Sequence, residues 1–258
     1  MTWQQIKSAL LLVMIILVAA LSAWQYYTTS SPKHPDALWR IVSEKCVPNQ
    51  LQRGHPVPCS EVNTTAGYVV LKDDFVGPLQ FLLMPTDKIS GIESPRLLAT
   101  STPNFFYLAW QARHFLAERQ GKAIGDRFLS LAINSAYGRT QNQLHIHISC
   151  LRPDIRERLD NDTANISTDW HPLAQPILGH KYLARRISEA GLAAQSPFLL
   201  LGHEVPDASK EMGEYGMALT PLPDGSLVLL ASQRSLLHLN IGSVEEIQDH
   251  SCAILNGH

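Results

Sequence analysis

The chain has 258 residues, and its 21 lysines and arginines nearly balance its 23 aspartates and glutamates, for a formal net charge of −2. No basic run interrupts this balance, which argues against a protein that binds duplex nucleic acid through a positive stripe. The length suits one sizeable domain or two small ones.

The first predicted element is an uncharged apolar run over residues 8–24, near the lower length limit for a transmembrane helix. Lys7 precedes this run and the next basic residue is Lys33, which favours an N-terminus inside the cell and an exported body. A cleaved signal peptide is the alternative, because residues 20–22 offer small side chains at a suitable spacing. Either interpretation places the body of the protein outside the cytoplasm.

Cysteine usage fits an exported protein. The chain has four cysteines, and an even number in an oxidising compartment predicts two disulfides, for which three pairings are possible. Cys46 and Cys59 flank a polar loop that contains proline and form the obvious local pair. Cys150 would then be bonded to Cys252 in a predicted C-terminal helix. Zinc binding is the alternative, but the chain has no CxxC pair, so we predict no metal site.

The next elements indicate strands with one helix between them. A short helix is predicted at residues 38–45, and two β-rich segments, 67–73 and 79–85, predict a hairpin. A helix follows over residues 103–118, and a third strand over residues 127–134. The aromatic stripe along the helix is typical of packing on a sheet rather than of a ligand-binding site.

The fourth strand, which begins at Gln143, alternates polar and apolar residues with the two-residue period of a β-strand. One predicted face carries Gln143, His145, His147 and Ser149, and the other carries Leu144, Ile146 and Ile148. Just upstream, the run from Gly138 to Thr140 is typical of a loop that presents N–H and hydroxyl donors to a phosphate. The pattern predicts a catalytic surface, and the alternative is a pair of histidines on a solvated sheet face.

The segment after residue 152 predicts further structure. Residues 181–187 predict a helix. Residues 217–221 and 226–231, separated by a Pro-Asp-Gly turn, predict a hairpin. Ser243 starts a capping pattern for the last predicted helix.

The strand with its upstream loop resembles the histidine-triad (HIT) superfamily of nucleotide hydrolases and transferases, whose strand reads His-x-His-x-His. The resemblance implies that His145 is the nucleophile that attacks the α-phosphate of a nucleotide, and that His147 is the last histidine, while Gln143 replaces the first. It also implies a phosphate-binding set, which consists of Asn134, Gly138, Thr140 and Gln143. A second register remains open, in which His145-x-His147-x-Ser149 is the triad and His147 attacks.

A closer resemblance runs over nearly the whole chain and is to the bacterial CDP-diacylglycerol pyrophosphatase family. The segments that carry it are residues 67–95, 104–112, 131–153 and 182–186, together with the apolar N-terminus. The resemblance implies hydrolysis of the membrane lipid CDP-diacylglycerol to CMP and phosphatidate through a histidine–CMP intermediate, without a cofactor, at the periplasmic side of the inner membrane. Alternatives are a metal-dependent hydrolase, a cytidylyltransferase with an acceptor other than water, and a non-enzymatic, membrane-tethered lipid-binding protein.

The predicted fold class is therefore α+β, with a HIT-like antiparallel sheet, packed helices and an N-terminal transmembrane helix. Four segments are expected along the chain. They are a membrane anchor at 1–29, a linker and disulfide loop at 30–65, a HIT-like catalytic core at 66–152, and a C-terminal α+β extension at 153–258.

Overall fold

The computed structural model describes residues 3–30 and 34–256 and divides the chain into two units, Met1–Pro35 and Asp36–His258. The first unit contains helix α1, Trp3–Ser30. Among the described residues, no helix meets the length and apolarity that a bilayer-crossing helix needs, so the predicted transmembrane helix is not confirmed. Lys33, the first basic residue after the apolar run, lies outside the described residues.

The second unit is built around one antiparallel sheet of ten strands in the order β1-β2-β3-β5-β4-β8-β9-β7-β6, with β10 paired to β5. The strands are β1 Glu61–Asn63, β2 Tyr68–Lys72, β3 Phe81–Pro85, β4 Leu129–Ile133, β5 Ile146–Leu151, β6 His171–Pro172, β7 Leu183–Ile187, β8 Tyr215–Pro221, β9 Leu227–Gln233 and β10 Gln248–Asp249. The C-terminal half of the chain thus extends the sheet begun by the N-terminal strands, because β8 pairs with β4.

Helices and short helical turns cover this sheet. The helices of the second unit are α2 Ala37–Arg40, α3 Val47–Arg53, α4 Phe105–Gln111, α5 His114–Gln120, α6 Pro153–Asp162, α7 Glu189–Ala194 and α8 Pro197–Glu204. A π-helical turn, Ile41–Cys46, joins α2 to α3 into one helical segment that is longer than the predicted helix at 38–45.

Both predicted hairpins are confirmed: β2 pairs with β3, and β8 pairs with β9. The single helix predicted at 103–118 is wrong in its continuity, because α4 and α5 are separate. Arg113 lies at the break, where its guanidinium donates to the Trp110 carbonyl and pairs with Asp126. These side-chain contacts replace a regular helical turn at this point.

Two further predictions for the C-terminal half are wrong. Residues 181–187 contain strand β7, not a helix, because all five of its residues pair with β9 and this tertiary pairing outweighs local helix propensity. The predicted last helix from Ser243 is only a 3₁₀ turn, Val244–Ile247, after which the chain pairs with β5 as β10. Cys252 consequently lies outside any α-helix.

The histidine face of β5 is buried, not solvated. His145 and His147 are 7% and 5% exposed. On the opposite face, Leu144, Ile146 and Ile148 join the main hydrophobic core with α4, as the alternation predicted. The helical segment that begins at Ala37 contributes to the burial, because Val42 and Cys46 pack on Leu82 and its neighbours in β2 and β3.

Both predicted disulfides are present in the structure. Cys46 is bonded to Cys59, which are 13 residues apart, and Cys150 is bonded to Cys252, which are 102 residues apart. The second bond fastens the C-terminal segment directly to strand β5. This attachment matters for the site, because that segment also carries two of its ionisable residues.

Candidate active site

A cavity of about 380 Å³ lies over the histidine face of β5. The residues that line it belong to the α2 segment, the β2–β3 loop, strand β3, the loop after β4, the histidine strand and the C-terminal segment. They are Ala37, Leu38, Ile41, Asp73, Phe75, Val76, Leu82, Asn134, Gly138, Arg139, Thr140, Gln141, His145, His147 and Glu245. The structure therefore brings together the two predicted histidines and three of the four predicted phosphate-binding residues.

His145 has its tautomer fixed by its own strand. Its Nδ1 lies 2.6 Å from the backbone oxygen of Gln143, and since a carbonyl can only accept, Nδ1 carries the hydrogen. Burial lowers the pKa of His145, although the Gln143 carbonyl opposes this effect by favouring the protonated ring. A neutral ring with hydrogen on Nδ1 leaves a lone pair on Nε2, which is the state required of a nucleophile.

His147 is held differently. Nε2 of Gln80 lies 2.9 Å from Nδ1 of His147 and 3.4 Å from a carboxylate oxygen of Asp73. Nδ1 of His147 also lies 3.2 Å from a carboxylate oxygen of Glu245, which can only accept, so the Gln80 amide and Glu245 compete for this nitrogen. Nε2 is buried and has no hydrogen-bond partner in the described part of the chain, so this nitrogen is available to a ligand in the cavity.

Burial is also the main influence on the ionisation of His147, and it lowers the pKa of this ring to about 3, while the nearby Glu245 carboxylate acts in the opposite direction. The rings of His145 and His147 lie edge to face, with centroids 4.9 Å apart. Two neutral imidazoles therefore face one cavity.

Glu245 connects the two histidines to the C-terminal segment. One of its carboxylate oxygens lies 3.2 Å from Nδ1 of His147 and 3.1 Å from Nε2 of His250, and the other accepts from the Asn134 amide at 3.0 Å. Burial opposes its ionisation, but His147, His250 and Asn134 together lower the pKa of Glu245 to about 2. The cavity therefore contains a permanent negative charge at neutral pH.

His250 joins Glu245 to strand β5. The Ser149 hydroxyl gives its one hydrogen to the Leu79 carbonyl, 2.7 Å away, so it accepts from Nδ1 of His250 at 3.1 Å. Nε2 of His250 lies 3.1 Å from a carboxylate oxygen of Glu245. The His250 ring is thus held between Ser149 and Glu245.

Sequence analysis missed both Glu245 and His250, which are about one hundred residues from the histidine strand. One signal could have located them. The predicted Cys150–Cys252 bond places the residues just before Cys252 next to the end of the strand, and it does so in the structure. No local pattern marks either residue.

The predicted phosphate-binding residues have unequal positions. Gly138 and Thr140 line the cavity, as predicted for their loop. Asn134 also lines it, but both ends of its amide are bound to Glu245, to the carboxylate and to the backbone N–H. The Gln143 amide donates to the carbonyls of Pro85 and Asp87 and is not part of the cavity lining.

Gly138 owes its position to its missing side chain. A Cβ atom at this residue would lie 3.0 Å from Cα of Ser243, so only glycine allows the loop to approach the C-terminal segment this closely. This contact holds the phosphate-loop candidate beside the chain that leads to Glu245. The reason for glycine is close packing rather than a left-handed backbone.

Arg139 is a cavity residue that sequence analysis did not single out. Its guanidinium forms two hydrogen bonds with Glu93, at 2.5 and 2.7 Å. Its Nε is buried and has no partner among the described residues. An arginine held by its outer nitrogens, with Nε–H unpaired, provides a cationic donor beside His145, whose pKa it lowers.

Two neighbouring arginines of strand β7, Arg185 and Arg186, lie away from this site. Arg185 donates to the Thr168 carbonyl and pairs with Glu204, and Arg186 pairs with Asp224. Neither lines the histidine cavity. Both have structural partners that account for their charges.

The arrangement combines two imidazoles, one of them with a lone pair on Nε2, with a cationic donor and the hydroxyl-bearing Thr140 in one cavity. A family model described as "CDH: CDP-diacylglycerol pyrophosphatase" matches residues 33–256, which is most of the chain. The match covers every residue named in the site. The chain belongs to the CDP-diacylglycerol pyrophosphatase family, whose members are hydrolases of phospholipid metabolism that act on CDP-diacylglycerol.

Proposed function

We propose that this protein hydrolyses CDP-diacylglycerol to CMP and phosphatidate through a covalent histidine–CMP intermediate, with His145 as the nucleophile. The observation that carries the proposal is the tautomer of His145. The Gln143 carbonyl leaves a lone pair on Nε2 of this ring, and Nε2 of the neighbouring His147 has no partner among the described residues. The first nitrogen can attack phosphorus, and the second can donate to a phosphate oxygen when it carries a hydrogen.

The reaction has two steps. Nε2 of His145 attacks the α-phosphorus, the P–O bond to the β-phosphate breaks, and its electron pair leaves with phosphatidate. Water then attacks the same phosphorus, the P–N bond breaks, and its electron pair returns to Nε2. The oxygen of water stays on CMP, and its surplus proton is released.

Charge that grows on the phosphate oxygens needs donors that are already in place. Thr140, Nε of Arg139 and Nε2 of His147 are the candidates, and all belong to residues that line the cavity. The N–H groups of Gly138 and Arg139 are already bound to Ser135. The amides of Asn134 and Gln143 already have protein partners. We assign these two residues a positioning part: Asn134 holds Glu245, and Gln143 holds the start of the strand.

We further propose that the core is HIT-like and that the body faces the periplasm at the bacterial inner membrane. His145-x-His147 at the head of a central antiparallel strand, with α4 packed on the opposite face, supports the kinship. Two disulfides support export, because such bonds persist in oxidising compartments. A C-terminal reporter fusion that is active only in the cytoplasm would overturn the topology.

The decisive experiment is turnover of CDP-diacylglycerol, labelled at the α-phosphorus, in ¹⁸O-water. We expect labelled CMP that contains one ¹⁸O atom, and phosphatidate without ¹⁸O. Incorporation of ¹⁸O into phosphatidate would mean attack at the β-phosphorus and would reject the proposed intermediate. CMP transferred to an added alcohol or phosphate in preference to water would favour the cytidylyltransferase alternative.

A further inference from the structure

An exposed apolar turn follows strand β9. Leu236, Leu237 and Leu239 are 70%, 95% and 88% exposed, and Ile241 next to them is about half exposed. We call these three leucines the leucine turn. Single exposed apolar side chains are common on protein surfaces, but a dense cluster at one tip indicates a surface that contacts another apolar phase.

The leucine turn is held in a defined shape. Ser235 and Asn240 exchange two backbone hydrogen bonds, and the buried Asn240 amide donates to the Ser232 hydroxyl and the Gln233 carbonyl. Leu239 has a left-handed backbone with φ of 52°, which is strained for a residue other than glycine. The outward position of the leucines is therefore built into the fold and is not the result of a frayed end.

The leucine turn lies next to the loop after β4, which carries Gly138 and Thr140 and lines the active-site cavity. The Ser135 hydroxyl donates to the Ile241 carbonyl at 2.5 Å, and the Ser135 N–H donates to the Gly242 carbonyl at 2.9 Å. The chain then passes Gly138 at Ser243 and enters the cavity at Glu245. The same short segment thus connects the exposed apolar tip to the active-site lining.

A second cavity of about 380 Å³ lies beside the leucine turn and carries cationic side chains. Its lining includes Lys181, Arg234 and His238. Arg234 pairs with Glu214, whereas no ion pair involves Lys181 within the residues that the structure describes. An unpaired ammonium beside an apolar tip complements the two layers of an anionic lipid surface, headgroup phosphates above acyl chains.

We propose that the leucine turn inserts into the acyl-chain region of a bilayer that contains anionic phospholipid, with Lys181 at the level of the phosphates. The inference rests on the proposed function, whose substrate keeps its two acyl chains in a membrane. Insertion at this point brings the adjacent loop after β4 to the headgroup layer, where the scissile pyrophosphate lies.

The first test detects insertion at a single residue of the full chain. A bimane fluorophore is attached to Leu237→Cys, and to Pro223→Cys as the control. Pro223 is exposed in the turn at the other end of the β8–β9 hairpin. With vesicles of phosphatidylcholine and phosphatidylglycerol, we expect bromine-labelled lipid to quench the probe at 237 and to leave the probe at 223 unchanged.

The second test measures kinetics. The combined variant Leu236→Ser, Leu237→Ser and Leu239→Ser should hydrolyse long-chain CDP-diacylglycerol in vesicles at least about tenfold more slowly, since three apolar anchors are lost. It should hydrolyse a monomeric dibutyryl analogue at the wild-type rate, which also verifies the fold. Lys181→Gln should slow turnover on anionic vesicles only.

The proposal is overturned by an unquenched probe at 237 together with an unchanged vesicle rate. A second outcome also overturns it. If, without vesicles, rising protein concentration increasingly shields the probe at 237 from an aqueous quencher, the leucine turn binds a second copy of the chain and not a membrane. Failure of the wild-type protein to hydrolyse either substrate would instead reject the proposed function. In that case the quenching of the probe at 237 by bromine-labelled lipid would by itself support or reject insertion of the leucine turn.

Discussion

Nδ1 of His145 lies 2.6 Å from the backbone oxygen of Gln143, two residues earlier on the same strand. This contact requires no partner from elsewhere in the fold, and it sets which nitrogen of the ring has a lone pair. Nδ1 of His147, two residues further along, instead lies between two distant residues, 2.9 Å from Nε2 of Gln80 and 3.2 Å from a Glu245 carboxylate oxygen. Two histidines of one His-x-His motif are thus held by different kinds of partner.

We expect His145→Ala to abolish both turnover and the acid-labile CMP adduct, because no other lone pair occupies the same position. His147→Ala should slow turnover by roughly 10²–10⁴-fold, the usual effect of losing an acid–base or donor group, and should still form the adduct. The adducts can be located by mass spectrometry after digestion without acid, which preserves the acid-labile P–N bond. An adduct mapped to His147 would reverse the assignment in favour of the second register.

The Glu245–His250 pair should contribute to stability through direct coupling. Glu245→Gln removes the carboxylate that faces His250, and His250→Gln removes the ring that faces the largely buried carboxylate, so each single variant should lose about 1–3 kcal/mol of unfolding free energy. The double variant should lose less than the sum, with a coupling of about 0.5–3 kcal/mol. Urea unfolding of the four proteins measures this difference, and strict additivity would show that the pair is not coupled.

Gly138→Ala tests the close approach between the loop and the C-terminal segment. Its Cβ would lie 3.0 Å from Cα of Ser243, and backbone atoms on both sides cannot yield as a flexible side chain can. We expect a loss of about 1–3 kcal/mol in stability, as for other overpacked contacts, and a lower kcat for CDP-diacylglycerol. Gly225→Ala is an informative comparison, because that glycine has φ of 82° with no neighbouring atom near its Cβ, so its effect would be local backbone strain without loss of kcat.

Stability should fall as the pH is lowered from neutral, for a reason specific to the site. Burial keeps the pKa of His147 at about 3 in the folded protein against 6.5 for an ordinary histidine, so between these values the unfolded chain binds a proton that the folded chain does not. The pKa of Glu245 is about 2 in the folded protein against 4.5 for an ordinary glutamate, so this group also reduces stability on acidification, at lower pH. Both contributions are complete above pH 6.5 and are lost on acidification.

Urea unfolding from neutral to acidic pH measures this dependence. The non-titrating variant His147→Gln should give a shallower loss of unfolding free energy between pH 6.5 and about 3 than the wild type. Equal slopes for the two proteins would show that His147 is not the group responsible.

The two disulfides should differ in their effect on activity. Cys150–Cys252 closes the longer loop and holds the segment with Glu245 and His250 against β5, so Cys150→Ala with Cys252→Ala should cost about 4–5 kcal/mol and most of the activity. Removing Cys46–Cys59 should cost about 3 kcal/mol, since its loop is short. Peptide mapping under non-reducing conditions tests the bonds themselves, and four free thiols in protein from the cell envelope would contradict both bonds and export.

The sequence by itself determined the features that depend on neighbouring residues. Alternation along the strand from Gln143 identified both the histidine pair and the aliphatic side that enters the core, and turn residues identified the two hairpins. The even cysteine count and the local Cys46–Cys59 spacing led to the correct bonds. These predictions succeed because side-chain period and turn geometry are set within a few residues along the chain.

Only the tertiary structure decided the features that depend on distant partners. Strand β7 forms because β9 offers it a pairing edge, and the histidine face is buried because the segment from Ala37 covers it. Glu245 and His250 reach the site through a disulfide and a pairing with β5 that no local pattern predicts. The ionisation of His147 and Glu245 follows from this burial and from their mutual contacts, which exist only once the chain has folded.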